Sequence, residues 1–256
     1  MTQTLLFISM LGEREHFNPD SFTGLCDSGL ERDWIVEWHG DLAAQSGLEM
    51  SSVDICRGDT LPPVNEISSV VLGGTLHVVT EDRQWLNDLR TWLAAYRKTG
   101  RPLLAICGGH QMLASQFGDG QLAGRDEGTL AGTYQVKLTE SGKQHPLFYG
   151  MPDNPRFHFA NYLHIIPSDE QISGVLSVQD NSPAIALDHG GNWFSCQFHP
   201  ESRKDSWDIY YGELDSDYRS NYSTDHHGQQ LLDNFFQLSS KLGMPEYKGS
   251  EMGFIR

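Results

Sequence analysis

The sequence is short of basic residues, cysteines and long apolar runs, and each shortage removes a class of function. Its 18 lysines and arginines face 34 aspartates and glutamates, a formal charge of −16. A surface of that sign repels phosphate backbones and anionic bilayers, so neither nucleic acid nor a membrane is an expected partner. No stretch approaches the roughly 20 apolar residues of a membrane-spanning helix. The apolar run from Leu5 to Leu11 is too short for a signal peptide and lacks its basic flank. The four cysteines, Cys26, Cys56, Cys107 and Cys196, show no C-x-x-C spacing. A zinc site or a secreted disulfide framework is therefore not expected, and a reducing cytoplasm is the expected compartment. Among eleven histidines only His226 and His227 are adjacent, with no further ligand at metal spacing. Nothing asks for a metal or a cofactor.

What is present is a chain of 256 residues, long enough to bury roughly 70–75% of its unfolded surface without covalent staples. It shows no internal repeat, low-complexity tract or linker, so one domain over 1–256 is expected. TLLFISM, from Thr4 to Met10, reads as a first strand, followed by a glycine-punctuated loop suited to the mouth of a site. Asp33 to Ser46 reads as a helix with Trp34, Trp38 and Leu42 on one face, expected to pack into the core. Met50 to Cys56 reads as the second strand, and Val70 to Leu72 as a buried third one ending on Gly73-Gly74. A helix to about Lys98 follows, with Glu81 and Asp82 expected in its first turn and Trp85, Leu89, Trp92 and Tyr96 on its apolar face. Pro102 to Ile106 is the next strand and Gly109 to Phe117 the next helix. Strands alternating with amphipathic helices specify an α/β fold with a mostly parallel central sheet flanked by helices. From Gly132 onward short strands dominate, until QQLLDNFFQL, Gln229 to Leu238, restores a helical period. Ser202 to Gly228 shows neither period and is read as an insertion-like segment at about 203–227.

Chemistry concentrates at three points. LLAICGGHQML, Leu103 to Leu113, sets Cys107 between a strand and a helix, where glycines permit a tight bend and the helix dipole favours thiolate. By itself this fits a buried bystander as well as a nucleophile. In a nucleophile elbow the next backbone N–H, here Gly108, faces the developing oxyanion. CQFHPES, Cys196 to Ser202, places His199 and Glu201 two apart, so an extended segment directs both side chains to one face. Glu201 can then orient an imidazole that serves Cys107 as base. Gly73-Gly74, at the end of another strand, lets a backbone N–H approach a reacting carbonyl.

VVLGG at 70–74, AICGGHQ at 105–111, HPE at 199–201 and GQQLLDNFF at 228–236 together resemble the class I (triad) glutamine amidotransferases, in particular the GMP-synthase-like branch. The resemblance runs from about Thr4 to Leu238 and implies a flavodoxin-like α/β fold. It further implies that Cys107 attacks the side-chain amide of glutamine, with His199 as base and then acid and Glu201 orienting it. Gly74 and Gly108 would supply the oxyanion donors, and water would cleave a γ-glutamyl thioester. Gln111 matches the position that packs bound glutamine. Tyr162, in FANYLHIIP at 159–167, matches the loop that grips its amino-acid end. His110, beside the cysteine, matches a helix residue of the family and not the base. Ala105 stands where the family commonly has glycine, and Thr75 where proline often follows the two glycines.

No synthetase domain is recognisable in the sequence, which leaves three readings. The first is a glutaminase subunit delivering ammonia to a separate synthetase or other acceptor protein. The second is a stand-alone γ-glutamyl hydrolase or peptidase acting on a γ-glutamyl compound, and the third a non-catalytic binding module. The segment 203–227 is open to use as a lid, a partner surface, an acceptor-site wall or a solvated loop.

Overall fold

The computed structural model describes residues 3–118, 120–214 and 216–242. β1 (Gln3–Ser9) is followed by α1 (Glu31–Gln45), β2 (Leu48–Asp54), β3 (Ser69–Leu72), α2 (Gln84–Arg97), β4 (Leu103–Ile106) and α3 (Gly108–Gln116). The second half contains β5 (Gln121–Gly124), β6 (Leu130–Gln135), β7 (Lys137–Leu138), α4 (Glu140–Gln144), β8 (Arg156–Asn161) and β9 (Leu163–Ile166). It closes with β10 (Val175–Gln179), β11 (Ser182–Asp188), β12 (Trp193–Cys196), α5 (Lys204–Glu213) and α6 (Gly228–Leu242).

Eight strands form one sheet in the order β2-β1-β3-β4-β12-β11-β10-β7. The stretch from β2 to β12 is parallel, and β11, β10 and β7 extend it antiparallel. The expected α/β sheet is thus mixed, parallel where it carries the motifs and antiparallel at one edge. Period-2 alternation explains how one apolar strand serves two faces. Leu5 and Phe7 join Trp34 and Ile35 of α1 and Phe235 and Phe236 of α6 on one side. Leu6 and Ile8 join Leu86, Leu89 and Leu93 of α2 and Met112 and Leu113 of α3 on the other. Antiparallel pairs β5-β9 and β6-β8 stand apart from the main sheet.

Two local expectations are corrected. Glu81 and Asp82 precede α2 instead of occupying its first turn, because Glu81 pairs with Arg83, which also binds Glu13. The segment after His199-Pro200-Glu201 has a helical period after all: α5 spans Lys204–Glu213, with Lys204 paired to Asp208 one turn on. Trp85 and Trp92 are only partly buried on α2, whose fully buried residues are Leu86, Leu89, Leu93 and Tyr96.

Candidate functional site

β3, β4 and β12 are parallel neighbours, with Leu72 opposite Ala105 and Cys196 opposite Ile106. Three motifs far apart in sequence therefore leave the sheet at one edge, the carboxyl side where α/β folds collect ligands.

Cys107 is the bend between β4 and α3. Its φ of 50° and ψ of −107° lie in a region unfavourable to any residue with a Cβ, at a cost of about 1–3 kcal/mol. Two hydrogen bonds hold it there: its N–H donates to the Cys196 carbonyl (2.8 Å), and its carbonyl accepts from Gln111 N–H (3.0 Å). Gly108 and Gly109 are required by contact. A Cβ on Gly108 would lie 2.5 Å from Thr75 Cγ2, and one on Gly109 would lie 3.0 Å from the Leu72 carbonyl oxygen. Thr75 fits after the two glycines because its hydroxyl accepts from His77 N–H (3.1 Å), closing its own turn. Ala105 is fully buried in the core.

Gly74 packs directly against Cys107 and His199. A Cβ there would sit 3.1 Å from His199 Cε1 and 3.8 Å from Cys107 Sγ. The Gly73 N–H is engaged with the Ile8 carbonyl (2.9 Å). His199 Nδ1 bonds Glu201 Oε1 at 2.7 Å. Burial alone lowers the basicity of the imidazole, but the Glu201 carboxylate and the adjoining Cys107 outweigh it and hold the His199 pKa well above its ordinary range. Glu201 is fixed in turn by His39 on α1, whose Nε2 donates to the Glu201 carbonyl (2.9 Å).

His110 points away. It is fully buried and its Nδ1 pairs with the Ser195 hydroxyl at 2.8 Å. Burial, with nearby His189, pushes its pKa down to about 3. Cys196 is buried as well, its thiol pushed up by desolvation and by Glu201. The sequence-predicted residues Cys107, Gly74, Gly108, His199 and Glu201 thus converge. Gln111 is placed differently: its amide nitrogen reaches Gln197 Oε1 (3.1 Å) and the Leu163 carbonyl (3.3 Å), tying α3 to the segment around Tyr162. Tyr162 lines the cavity above Cys107 and is about half exposed.

That cavity has a volume of about 590 Å³ and opens on Cys107, His199 and Glu201. Its far wall holds residues that the motifs do not reveal. Phe17 and Phe22 come from the loop after β1 and Trp34 from α1, with Phe22 and Trp34 stacked at 5.4 Å. Trp207, Tyr210 and Tyr211 come from α5. The Trp207 ring stands edge-on to His199 at 5.0 Å, and its indole N–H donates to Ser202 Oγ (2.9 Å) beside the His199 carbonyl. The segment 203–227 is therefore a wall of the cavity. Its Tyr222 is locked to β8 by a 2.6 Å bond to the Phe159 carbonyl.

Two buried polar groups on the wall were not legible in the motifs. Glu31, the first residue of α1, accepts from Ser9 Oγ (2.7 Å), and desolvation pushes its pKa up to about 8. Asn161 donates to the Leu163 carbonyl (2.8 Å), while its buried Oδ1 has no hydrogen-bond partner among the described residues. Glu13, His16 and His77 bring ligand atoms within 4.8 Å of one another near the mouth. Arg83 and Trp85 already bind both Glu13 oxygens, the Glu13 N–H engages His77 Nε2, and His16 stands edge-on to the His77 ring at 4.4 Å. No helix among the described residues is long and apolar enough to cross a membrane.

Comparison with known proteins adds an independent finding. Residues 53–213, more than half of the chain, match the family glutamine amidotransferase class-I. The chain is 28% identical over 130 residues to imidazole glycerol phosphate synthase subunit HisH of Methanosarcina barkeri, covering 45% of this chain and 63% of that subunit. It is 25% identical over 186 residues to the HisH subunit of Methanosarcina mazei, covering 67% and 92%. A glutamine amidotransferase from Thermotoga maritima superposes with a TM-score of 0.72 at 18% identity, covering 94% of this chain and 99% of that one, a likeness of fold.

Proposed function

The chain belongs to the class-I glutamine amidotransferases, and from that premise we propose that it cleaves the γ-amide of a glutamyl substrate through Cys107. Cys107 Sγ attacks the γ-carbonyl carbon while His199 takes the thiol proton. The resulting oxyanion is held by the Gly74 and Gly108 N–H groups. His199, kept in orientation by Glu201, returns the proton to the leaving nitrogen as the C–N bond breaks. Water then attacks the γ-glutamyl thioester with His199 again as base, releasing glutamate and the thiol. Gln111 acts by positioning the Asn161–Leu163 segment, and Tyr162 borders the substrate.

The observation that carries this reading is the meeting of a strained Cys107, a 2.7 Å His199–Glu201 pair and Gly74 at one end of a cavity. In its first form the substrate is glutamine and the ammonia goes to a separate biosynthetic partner. HisH is by name a subunit of a synthase, and the motif likeness to the GMP-synthase-like branch suggests the same division of labour. The second form, hydrolysis of a larger γ-glutamyl amide, is favoured by the cavity, because 590 Å³ exceeds what glutamine fills. Either form requires the same residues. Cys107→Ser and His199→Ala are each expected to lower turnover of glutamine or a γ-glutamyl amide by at least about 10³-fold. Near-normal turnover in either purified variant contradicts the proposal.

A further inference from the structure

The chamber beyond Cys107 is built for more than ammonia. Its walls are aromatic on two sides, with Phe22 and Trp34 facing from the core and Trp207, Tyr210 and Tyr211 from α5. These rings are preorganised. Trp207 stacks on Tyr222 at 5.0 Å with planes 12° apart, and Trp34 stacks on Phe22 with planes 27° apart. Flat, fixed rings favour aromatic guests through offset stacking and apolar burial. The charges are equally selective. Among the described residues no lysine or arginine lines the chamber, and the carboxyl groups that do are those of Glu31 and Glu201. A leaving group bearing a carboxylate or phosphate would be desolvated there without a cation to pair with.

We propose that this chamber binds the amine half of γ-glutamyl amides whose nitrogen carries an aromatic or aralkyl group, and that such amides are substrates of the Cys107 centre. The proposal rests on the reading of Cys107 as nucleophile and names the substrate class for it. The reaction balances as hydrolysis. The C–S bond forms first, giving the tetrahedral oxyanion, whose collapse breaks the C–N bond while the thiol proton passes through His199 to the leaving amine. One water then replaces sulfur on the γ-carbon, giving glutamate and free amine. No oxidant enters, and water is the second reactant.

The test compares kcat/KM of the purified full chain for γ-glutamyl phenethylamide, γ-glutamyl methylamide and γ-glutamyl-glutamate. The phenethylamide is expected to lead each of the others by at least about tenfold, the scale on which an apolar pocket discriminates. Tyr210→Ala and Trp34→Ala are expected to reduce the phenethylamide-to-methylamide ratio at least about threefold. Because the ratio cancels the active fraction, it stays readable if a variant folds poorly. Equal kcat/KM for phenethylamide and methylamide, with Cys107→Ser inactive on both, overturns the chamber proposal and leaves the nucleophile intact. A ratio unmoved in both wall variants overturns it too. Turnover that survives Cys107→Ser overturns the underlying reading instead.

Discussion

At the scale of single residues, the site is a set of groups each held away from its resting preference. Cys107 sits at positive φ because the Cys196 carbonyl and α3 hold the bend from both sides. Glu31 is a carboxyl taken out of water, so its pKa rises from 4.5 to about 8 through desolvation, with the nearby carboxylates of Glu201 and Asp54 adding to the rise. The sign of the consequence is fixed. Folding favours the protonated acid, so its contribution is complete below about pH 4.5 and is lost as pH rises through about 8. Glu31→Gln cannot ionise, and its stability relative to wild type is expected to improve between about pH 5 and about pH 8. Urea unfolding midpoints at the two pH values check this. A variant whose relative stability is unchanged, or falls, across that window contradicts the buried, protonated state of Glu31.

At the scale of elements, the contribution that most distinguishes this chain is α5. Through Trp207 it packs on the His199 ring and binds Ser202, so the segment after Glu201 is both cavity wall and brace. Trp207→Phe keeps a ring but loses the indole N–H, with an expected cost of about 1 kcal/mol. Trp207→Ala empties the position, with an expected cost of about 3–5 kcal/mol. Chemical unfolding of both variants measures the difference, and equal costs contradict the packing of α5 against the site. The strands and helices around the motifs were legible because their apolar periods are strong. Leu5 to Ile8 alternate between two cores, and Leu86, Leu89 and Leu93 mark one face of α2. α5 escaped that reading because its face is made of Trp207, Tyr210 and Tyr211, interspersed with Asp and Ser, and looks inward on a cavity. β5 and β9 escaped for another reason. Each is short, and among the described residues they pair only with each other, a long-range contact that leaves no local period.

At the scale of the whole molecule, the parallel order β3-β4-β12 delivers Gly74, Cys107 and His199 to one edge. Those residues were legible because glycine, cysteine, histidine and glutamate at strand ends carry chemistry in their identities. Glu31, His39 and Asn161 were not, because ordinary polar residues acquire a role only through what the fold buries beside them. The same holds for Gln111, whose place was recognisable but whose contacts with Gln197 and Leu163 depend on β9 and β12 packing on α3. The acidic exterior, at a formal −16, coexists with a chamber in which, among the described residues, no lysine or arginine stands ready to pair with an anionic leaving group. Fold, edge and chamber all converge on the sulfur of Cys107, and its covalent chemistry is the direct test. The measurement is mass spectrometry of the full chain quenched in acid during turnover of glutamine and of γ-glutamyl phenethylamide, followed by peptide mapping. The account predicts one γ-glutamyl group on the peptide containing Cys107 from either compound. A γ-glutamyl group on any other residue, or steady turnover with no acylated protein in the quenched sample, contradicts it.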